Sequence, residues 1–184
     1  MSTSLWQSAV ASAVEPTATL DQPHWYALYT RSRCEKQIAA LLKQRDVEFF
    51  LPLYSSVRRW KDRRVELQLP LFPSYVFVNL PLRRRFDVLN VPGAVRFVAF
   101  GGRPAVLPES DLLRLRSGLD MGLSAQPHPY LKVGRRVRVR SGPLAGTEGI
   151  LLHKKNQFRL IVSIDLIMRA VAVEIDAADV EPLR

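Results

Sequence analysis

Aromatic side chains are concentrated in two short apolar segments of this sequence. One runs from His24 to Thr30 and has the length of a strand; the other, residues 70–78, sets a proline-framed turn before a β-rich strand. Aromatic residues dominate the anchoring of protein interfaces, because each buries a large area at little cost in conformational entropy. The two segments therefore predict a surface that binds a protein partner. Its candidate members are Tyr29, Phe72, Tyr75 and Phe77.

Alternation along a strand limits how much of this aromatic set can face solvent. We expect Phe77 or Tyr75 to be partly buried, whereas Tyr29 and Phe72 are expected to be exposed. In the alternative interpretation all four rings belong to the core, and the sequence then marks no surface at all.

The sequence also carries a strong excess of basic side chains. Lys and Arg number 27 against 17 Asp and Glu, which gives a formal net charge of +10. A globular chain this basic usually meets a polyanion, because phosphate attraction and counterion release favour that pairing. In the alternative interpretation the charge serves solubility alone.

One group of these charges falls in a predicted hairpin between residues 55 and 69, whose tip is basic. There Arg58 and Arg59 precede Trp60, whose indole is able to stack on an unpaired base. Burial of Trp60 in a core is the equal alternative. A run of charge is most often a solvated face, so the hairpin alone does not define a site.

The inventory of reactive side chains is too small for an enzyme. The histidines are His24, His128 and His153, and none has the spacing of a catalytic triad or a metal site. No phosphate-cradling glycine-rich motif is present. The single cysteine, Cys34, excludes an internal disulfide and a cysteine cluster, and it lies on the apolar side of a predicted helix. We expect no catalysis, no metal and no cofactor.

The same sequence features bear on location. A single cysteine fits a reducing cytosol, and no apolar run reaches the roughly 18 residues that a membrane span needs. The first residues carry no Lys or Arg before a weakly apolar stretch, so they do not predict a signal peptide. We expect a cytoplasmic monomer without membrane contact.

Changes of composition along the chain predict two domains in an α+β protein. Residues 1–21 are rich in Ser, Ala and Thr and predict a flexible tail. Residues 22–120 alternate strands with helices, which indicates an α/β sandwich of an antiparallel sheet and flanking helices. Residues 121–131 have the composition of a linker. Residues 132–184 contain short strands spaced by glycine turns, which indicates a small all-β barrel.

Motifs in both predicted domains resemble the NusG family of transcription elongation factors. In the first domain the motifs similar to the NusG N-terminal domain are residues 25–31 (Trp-Tyr-Ala-Leu-Tyr-Thr-Arg), Glu35-Lys36, residues 72–78 (Phe-Pro-Ser-Tyr-Val-Phe-Val) and residues 91–93 (Val-Pro-Gly). In the second domain residues 133–150 resemble a KOW domain, which implies an SH3-like barrel. The resemblance covers residues 22–184 and keeps the order and spacing of the family.

The resemblance implies a factor that rides on RNA polymerase. In this family the aromatic surface binds the β′ clamp helices, with the β subunit as a further contact, and the domain bridges the cleft and suppresses pausing. In RfaH-like members the end of the first strand and the first helix meet the exposed non-template DNA strand. The residues at those positions are Arg31, Arg33 and Lys36, and the alternative basic run is Arg83, Arg84 and Arg85. The KOW domain recruits a small ribosomal-subunit protein or, in housekeeping members, the Rho terminator.

Some residues are more similar to the specialised RfaH and UpxY paralogues, which implies a role on long operons; these are Tyr29 and residues 70–78. RfaH-like proteins that fold their KOW domain as helices hold it through a glutamate, and Leu69 stands at that position here. Pro92 stands where such proteins place an arginine on their DNA element. We therefore predict a β-barrel that is free on a flexible linker and leaves the aromatic surface open. The alternative is a helical hairpin that covers Phe72 and Tyr29.

A ribosome-associated KOW protein that binds ribosomal RNA is the alternative function. Such a protein has no need of the domain formed by residues 22–120, so this alternative leaves that domain unexplained. An enzyme acting on nucleic acid would need clustered carboxylates or a metal site, and the sequence shows neither pattern.

Overall fold

The computed structural model describes residues 20–60, 63–128, 134–154, 157–176 and 179–183. The chain divides into two compact units. The first unit contains the described residues up to Leu51 and those from Pro73 to Glu109. The second contains those from Pro52 to Phe72 and those from Ser110 onward. Residues 1–19, most of the predicted tail, lie outside the described residues.

Strands dominate both units. In chain order they are β1 (Pro23–Thr30), β2 (Glu48–Phe50), β3 (Leu53–Trp60), β4 (Arg63–Pro70), β5 (Tyr75–Pro81), β6 (Ala94–Phe97), β7 (Ala99–Phe100), β8 (Arg103–Pro104), β9 (Val106–Leu107), β10 (Ala125–His128), β11 (Arg135–Val139), β12 (Glu148–Lys154), β13 (Gln157–Ile164), β14 (Arg169–Ile175) and β15 (Val180–Pro182). The α-helices are α1 (Glu35–Gln44), α2 (Arg85–Leu89) and α3 (Glu109–Asp120), and short 3₁₀ turns cover Leu82–Arg84 and Asp165–Ile167.

The first sheet lies in the first unit and has the strand order β2-β5-β1-β6, with β9 also paired to β1. Side chains alternate between its faces, so Tyr26 and Leu28 share one face of β1. They belong to the buried cluster that contains Ile38 and Leu42 of α1, which confirms the apolar helix face predicted there. Burial desolvates the Tyr26 phenol and raises its pKa above the ordinary value.

The second sheet lies in the second unit and is antiparallel throughout, with the order β10-β14-β13-β12-β11-β15. Its turn before β12 contains Gly142 and Gly146 at φ values of +81° and +79°, which glycine adopts without steric cost. Gly149 serves close approach instead, since a Cβ there would lie 2.5 Å from the carbonyl oxygen of Ile161. The α+β class, with an all-β second part, is confirmed.

One local expectation needs correction. The predicted linker, residues 121–131, includes strand β10, which pairs with β14 from Ala125↔Val173 to His128↔Ala170. The proline and serine content indicated a connecting segment. An edge strand nevertheless tolerates Pro127, because its outer side has no neighbouring strand to which a backbone N–H must donate. In the first unit, the segment from Leu82 to Asn90 is α-helical only at Arg85–Leu89, because Leu82–Arg84 form a 3₁₀ turn.

Strands β3 and β4 form a separate two-stranded sheet in the second unit, which confirms the predicted hairpin. Its tip residues, 61 and 62, lie outside the described residues. Elsewhere, the apolar segment from Leu160 is a strand up to Ile164 and then a 3₁₀ turn at Asp165–Ile167.

Within the part of the chain that the structure describes, no helix is long and apolar enough to cross a membrane.

Candidate binding surfaces

Tyr29 and Tyr75, here called the aromatic pair, lie directly opposite each other on β1 and β5. Their ring centroids are 5.5 Å apart with a 58° interplanar angle, and both side chains are half-buried. On the other side of β1, Arg96 of β6 is the register partner of Tyr29 and holds its guanidinium 5.7 Å from that ring centroid. The pair therefore presents partly accessible rings and one cation on a rigid sheet.

Phe77 lies on the same face of the sheet but is fully buried, as its opposite neighbour Ala27 is. Its ring stacks on Phe50 of β2, with centroids 6.2 Å apart. The expectation that Phe77 or Tyr75 belongs partly to the core is confirmed. Phe77 is therefore part of the core beneath the sheet and is not accessible to a binding partner.

Phe72 falls in the second unit and is only 1% exposed, so the expectation of an exposed ring is wrong. It lines a cavity of about 310 Å³ with residues of α3 and of the second sheet. The other lining residues are Asp111, Arg114, Leu115, Leu144, Gly146, Thr147, Glu148, Val162, Ser163, Ile164 and Val171.

Helix α3 packs closely against the turn before β12, and Leu115 of this helix and Leu144 of this turn both line the cavity beside Phe72. A Cβ on Gly118 of α3 would lie 2.8 Å from Leu123 Cδ1 and 3.3 Å from Leu144 Cδ2, so the missing side chain makes room for both leucines. The second sheet is a strand structure, as predicted, but it does not leave Phe72 open. The predicted open arrangement is therefore wrong at Phe72, because burial of its large ring favours the covered state.

The four motifs that resemble the NusG N-terminal domain meet at the end of β1. The Thr30 amide donates to the Ser74 carbonyl at 2.9 Å, and the Arg31 amide donates to the Gly93 carbonyl at 2.8 Å. Glu35, only 4% exposed, accepts a hydrogen bond from the Ser74 amide at 2.7 Å. Ser74 has a φ of +68°, which costs a residue with a Cβ conformational energy, so the carboxylate holds a strained turn in place.

Three of the predicted DNA-binding residues project from this junction. Arg31, Arg33 and Lys36 are all exposed, at the end of β1 and the start of α1. Arg33 has a φ of +66°, so the chain turns sharply there. The junction thus presents three cations from a short segment whose backbone is tied to two other segments.

The second predicted basic run divides into different environments. Arg84 donates to Asp87 Oδ2 at 2.8 Å and to the Arg45 carbonyl at 3.1 Å, so its guanidinium caps the end of α1. Arg83 is exposed and lies 3.6 Å from Asp21. Arg85 is exposed and stacks over Phe86, 4.6 Å from the ring centroid. Arg83 and Arg85 are the more exposed members of this run, whereas the Arg84 guanidinium is engaged by Asp87 and the Arg45 carbonyl.

Replacing Glu35 with alanine is expected to lower the free energy of unfolding by about 1–3 kcal/mol, because the partly buried amide of Ser74 loses its acceptor. Urea denaturation followed by circular dichroism measures the change. Glu35→Gln keeps an acceptor oxygen and is the matched control. A loss for the glutamine variant as large as for the alanine variant would show that the hydrogen bond is not the cause.

Within the described ranges, no three His, Cys, Asp or Glu side chains are grouped closely enough to hold a metal ion. Cys34 is a partly buried free thiol packed against the core cluster of the first unit.

Two features of these surfaces could not be predicted from the sequence. Arg96 reaches Tyr29 only because β6 pairs with β1, and strand order leaves no local signal. The division between Phe72 and the aromatic pair is also invisible in the sequence, where Phe72 and Tyr75 are three residues apart.

Three comparisons with known proteins show which family this chain is similar to. The family model described as transcription termination factor nusG matches residues 23–116, just over half of the chain. Curated relatives named transcription termination/antitermination protein NusG occur in Staphylococcus aureus strain Mu50 and in Staphylococcus epidermidis. Each is 28% identical over 176 residues, which covers 86% of this chain and 95% of the relative.

A solved structure that reports domain interaction in Thermotoga maritima NusG is also similar. It has a TM-score of 0.55 at 20% identity and covers 89% of this chain and 98% of that chain. At this identity the likeness concerns the fold, which matches the α+β part followed by the all-β part seen here.

Proposed function

Because this chain belongs to the NusG family of transcription termination and antitermination factors, we propose that it is an elongation factor that binds the β′ clamp helices of RNA polymerase through the aromatic pair. The observation that carries the proposal is the geometry of Tyr29, Tyr75 and Arg96, which together offer two half-buried rings and a cation on one sheet. Half-buried rings of this kind lose little side-chain entropy on binding, since the sheet already restricts them.

Bound at the clamp, the factor bridges the cleft, suppresses pausing and promotes antitermination. Pause suppression requires that the clamp stay closed, and a rigid bridge achieves this by binding the closed state more tightly than the open one. The similarity of residues 70–78 to specialised paralogues supports action on long operons. The β subunit is the further contact on the opposite side of the cleft.

The exposed cations at the end of β1 are proposed to contact the non-template DNA strand. Arg31, Arg33 and Lys36 have no ion pair with another described residue, so their charge is available to phosphates. Arg83 and Arg85 are a secondary contact, whereas Arg84 serves the structure of α1.

The second sheet is proposed to recruit another factor, either a small ribosomal-subunit protein or Rho. The ribosomal-RNA alternative is less well supported, because the family match lies on residues 23–116, the part that this alternative leaves unexplained. Capture from a lysate on the immobilised full chain separates the two: polymerase subunits support the proposal, and ribosomes without polymerase contradict it.

Reversing two charges at once, Arg31→Glu with Lys36→Glu, is expected to abolish crosslinking to the non-template strand and to restore pausing in an assembled elongation complex. Each lost phosphate contact reduces the steepness with which the logarithm of the binding constant falls against the logarithm of the salt concentration, by about 0.7 for single strands. The matched control reverses Arg135 and Arg140, two exposed arginines of the second unit. Unchanged pausing and crosslinking would move the DNA contact to Arg83 and Arg85.

A further inference from the structure

Strands β3 and β4 form a ribbon that is paired to no other described strand. Each strand has eight residues, so the ribbon is about 27 Å long at a rise of about 3.4 Å per residue. It is joined in register from Leu53↔Pro70 to Trp60↔Arg63, without a bulge.

Four arginines occupy the end of this ribbon nearest its tip. Arg59 lies directly opposite Arg64, while Arg58 is opposite Val65 and Arg63 is opposite Trp60. Because register partners share a face and neighbours alternate, Arg59 and Arg64 lie on one face and Arg58 and Arg63 on the other. All four side chains are exposed.

Stability does not explain this placement. Like charges directly opposite each other on paired strands are destabilising, and Arg59 and Arg64 form such a pair. None of the four arginines has an ion pair with another described residue. The carboxylate of Glu66 accepts a hydrogen bond from Ser55 Oγ at 2.6 Å instead.

We propose that the β3–β4 ribbon lies in the major groove of double-helical DNA, with Arg59 and Arg64 on one phosphate backbone and Arg58 and Arg63 on the other. The major groove of B-DNA is about 12 Å wide and admits a two-stranded β-ribbon. Its two phosphate walls match a ribbon that is cationic on both faces. A single strand would be contacted from one face only, and the A-form RNA major groove is too narrow for side chains to enter.

This duplex contact goes beyond the proposed function, which places single-stranded DNA at Arg31, Arg33 and Lys36. Phosphate contacts carry no sequence information, so the ribbon is expected to bind duplexes of any sequence and to anchor the factor beside the strand that it follows.

The test uses the full chain and a 20-base-pair duplex at several salt concentrations, with fluorescence anisotropy as the readout. The double variant Arg59→Gln with Arg64→Gln is expected to lower the salt slope by about 1.8 and the affinity by about 60-fold at 0.1 M salt. Arg58→Gln with Arg63→Gln is expected to do the same. The control, Arg135→Gln with Arg140→Gln, removes the same charge from the start of β11 and from the residue that follows it, and is expected to change the slope little.

The variants also carry their own folding control. Neutralising Arg59 and Arg64 relieves a like-charge pair, so the midpoint of thermal unfolding is expected to stay level or rise. Equal losses in the control variant, an effect from only one face, or an equally large loss of affinity for single-stranded DNA or duplex RNA in the ribbon variants would each overturn the groove model. Polymerase binding is expected to survive in these variants, so failure of this inference and failure of the proposed function are distinguishable.

Discussion

Replacing Phe72 with alanine is expected to lower the free energy of unfolding of the full chain by about 3–5 kcal/mol. The ring is 1% exposed and borders a cavity that already exists, so truncation enlarges a void that its neighbours cannot close. Urea denaturation of the second unit's β-structure, followed by circular dichroism, measures the loss.

The control is Phe72→Leu, which keeps most of the apolar volume and is expected to cost less than about 1.5 kcal/mol. The experiment also distinguishes two arrangements of the chain. If the second sheet were free in solution and Phe72 were exposed, the alanine variant would change stability by no more than about 0.5 kcal/mol. So small a change would contradict the covered arrangement of Phe72 and would support the open arrangement predicted from the sequence.

Replacing Tyr29 with alanine is expected to weaken binding to RNA polymerase by about 1–3 kcal/mol, or roughly 5- to 150-fold. The substitution removes one ring of the aromatic pair and the surface over which Arg96 is held. Because Tyr29 is only half-buried, the fold is expected to survive, and the thermal midpoint verifies this. Affinity is measured by titrating labelled protein with core polymerase.

Two further variants sharpen this test. Tyr29→Phe keeps the ring and is expected to retain most of the affinity, which separates ring contact from hydroxyl contact. Tyr54→Ala removes a comparably half-buried tyrosine from the second unit and is expected to leave polymerase binding intact. Equal weakening by Tyr54→Ala, or no weakening by Tyr29→Ala, would remove the aromatic pair from the clamp site.

By itself the sequence determined the fold class and the motif positions of this protein. Ile38 and Leu42 recur at helical spacing and can only be buried together on one side of α1. Alternating valines and glycine turns after residue 134 specify strands, since β-branched residues and left-handed turns both disfavour a helix. These preferences depend on residues close together in the chain, so they can be predicted from the sequence alone.

Only the tertiary structure decided which rings and cations are accessible. Tyr29 gains Tyr75 and Arg96 as neighbours because β5 and β6 flank β1, and strand order depends on packing between distant segments. Arg84 resembles Arg83 and Arg85 in sequence but caps α1 through the Arg45 carbonyl, 39 residues away. Phe72 is buried because α3 and the second sheet cover it, and the burial of apolar area depends on what the rest of the chain brings to the site.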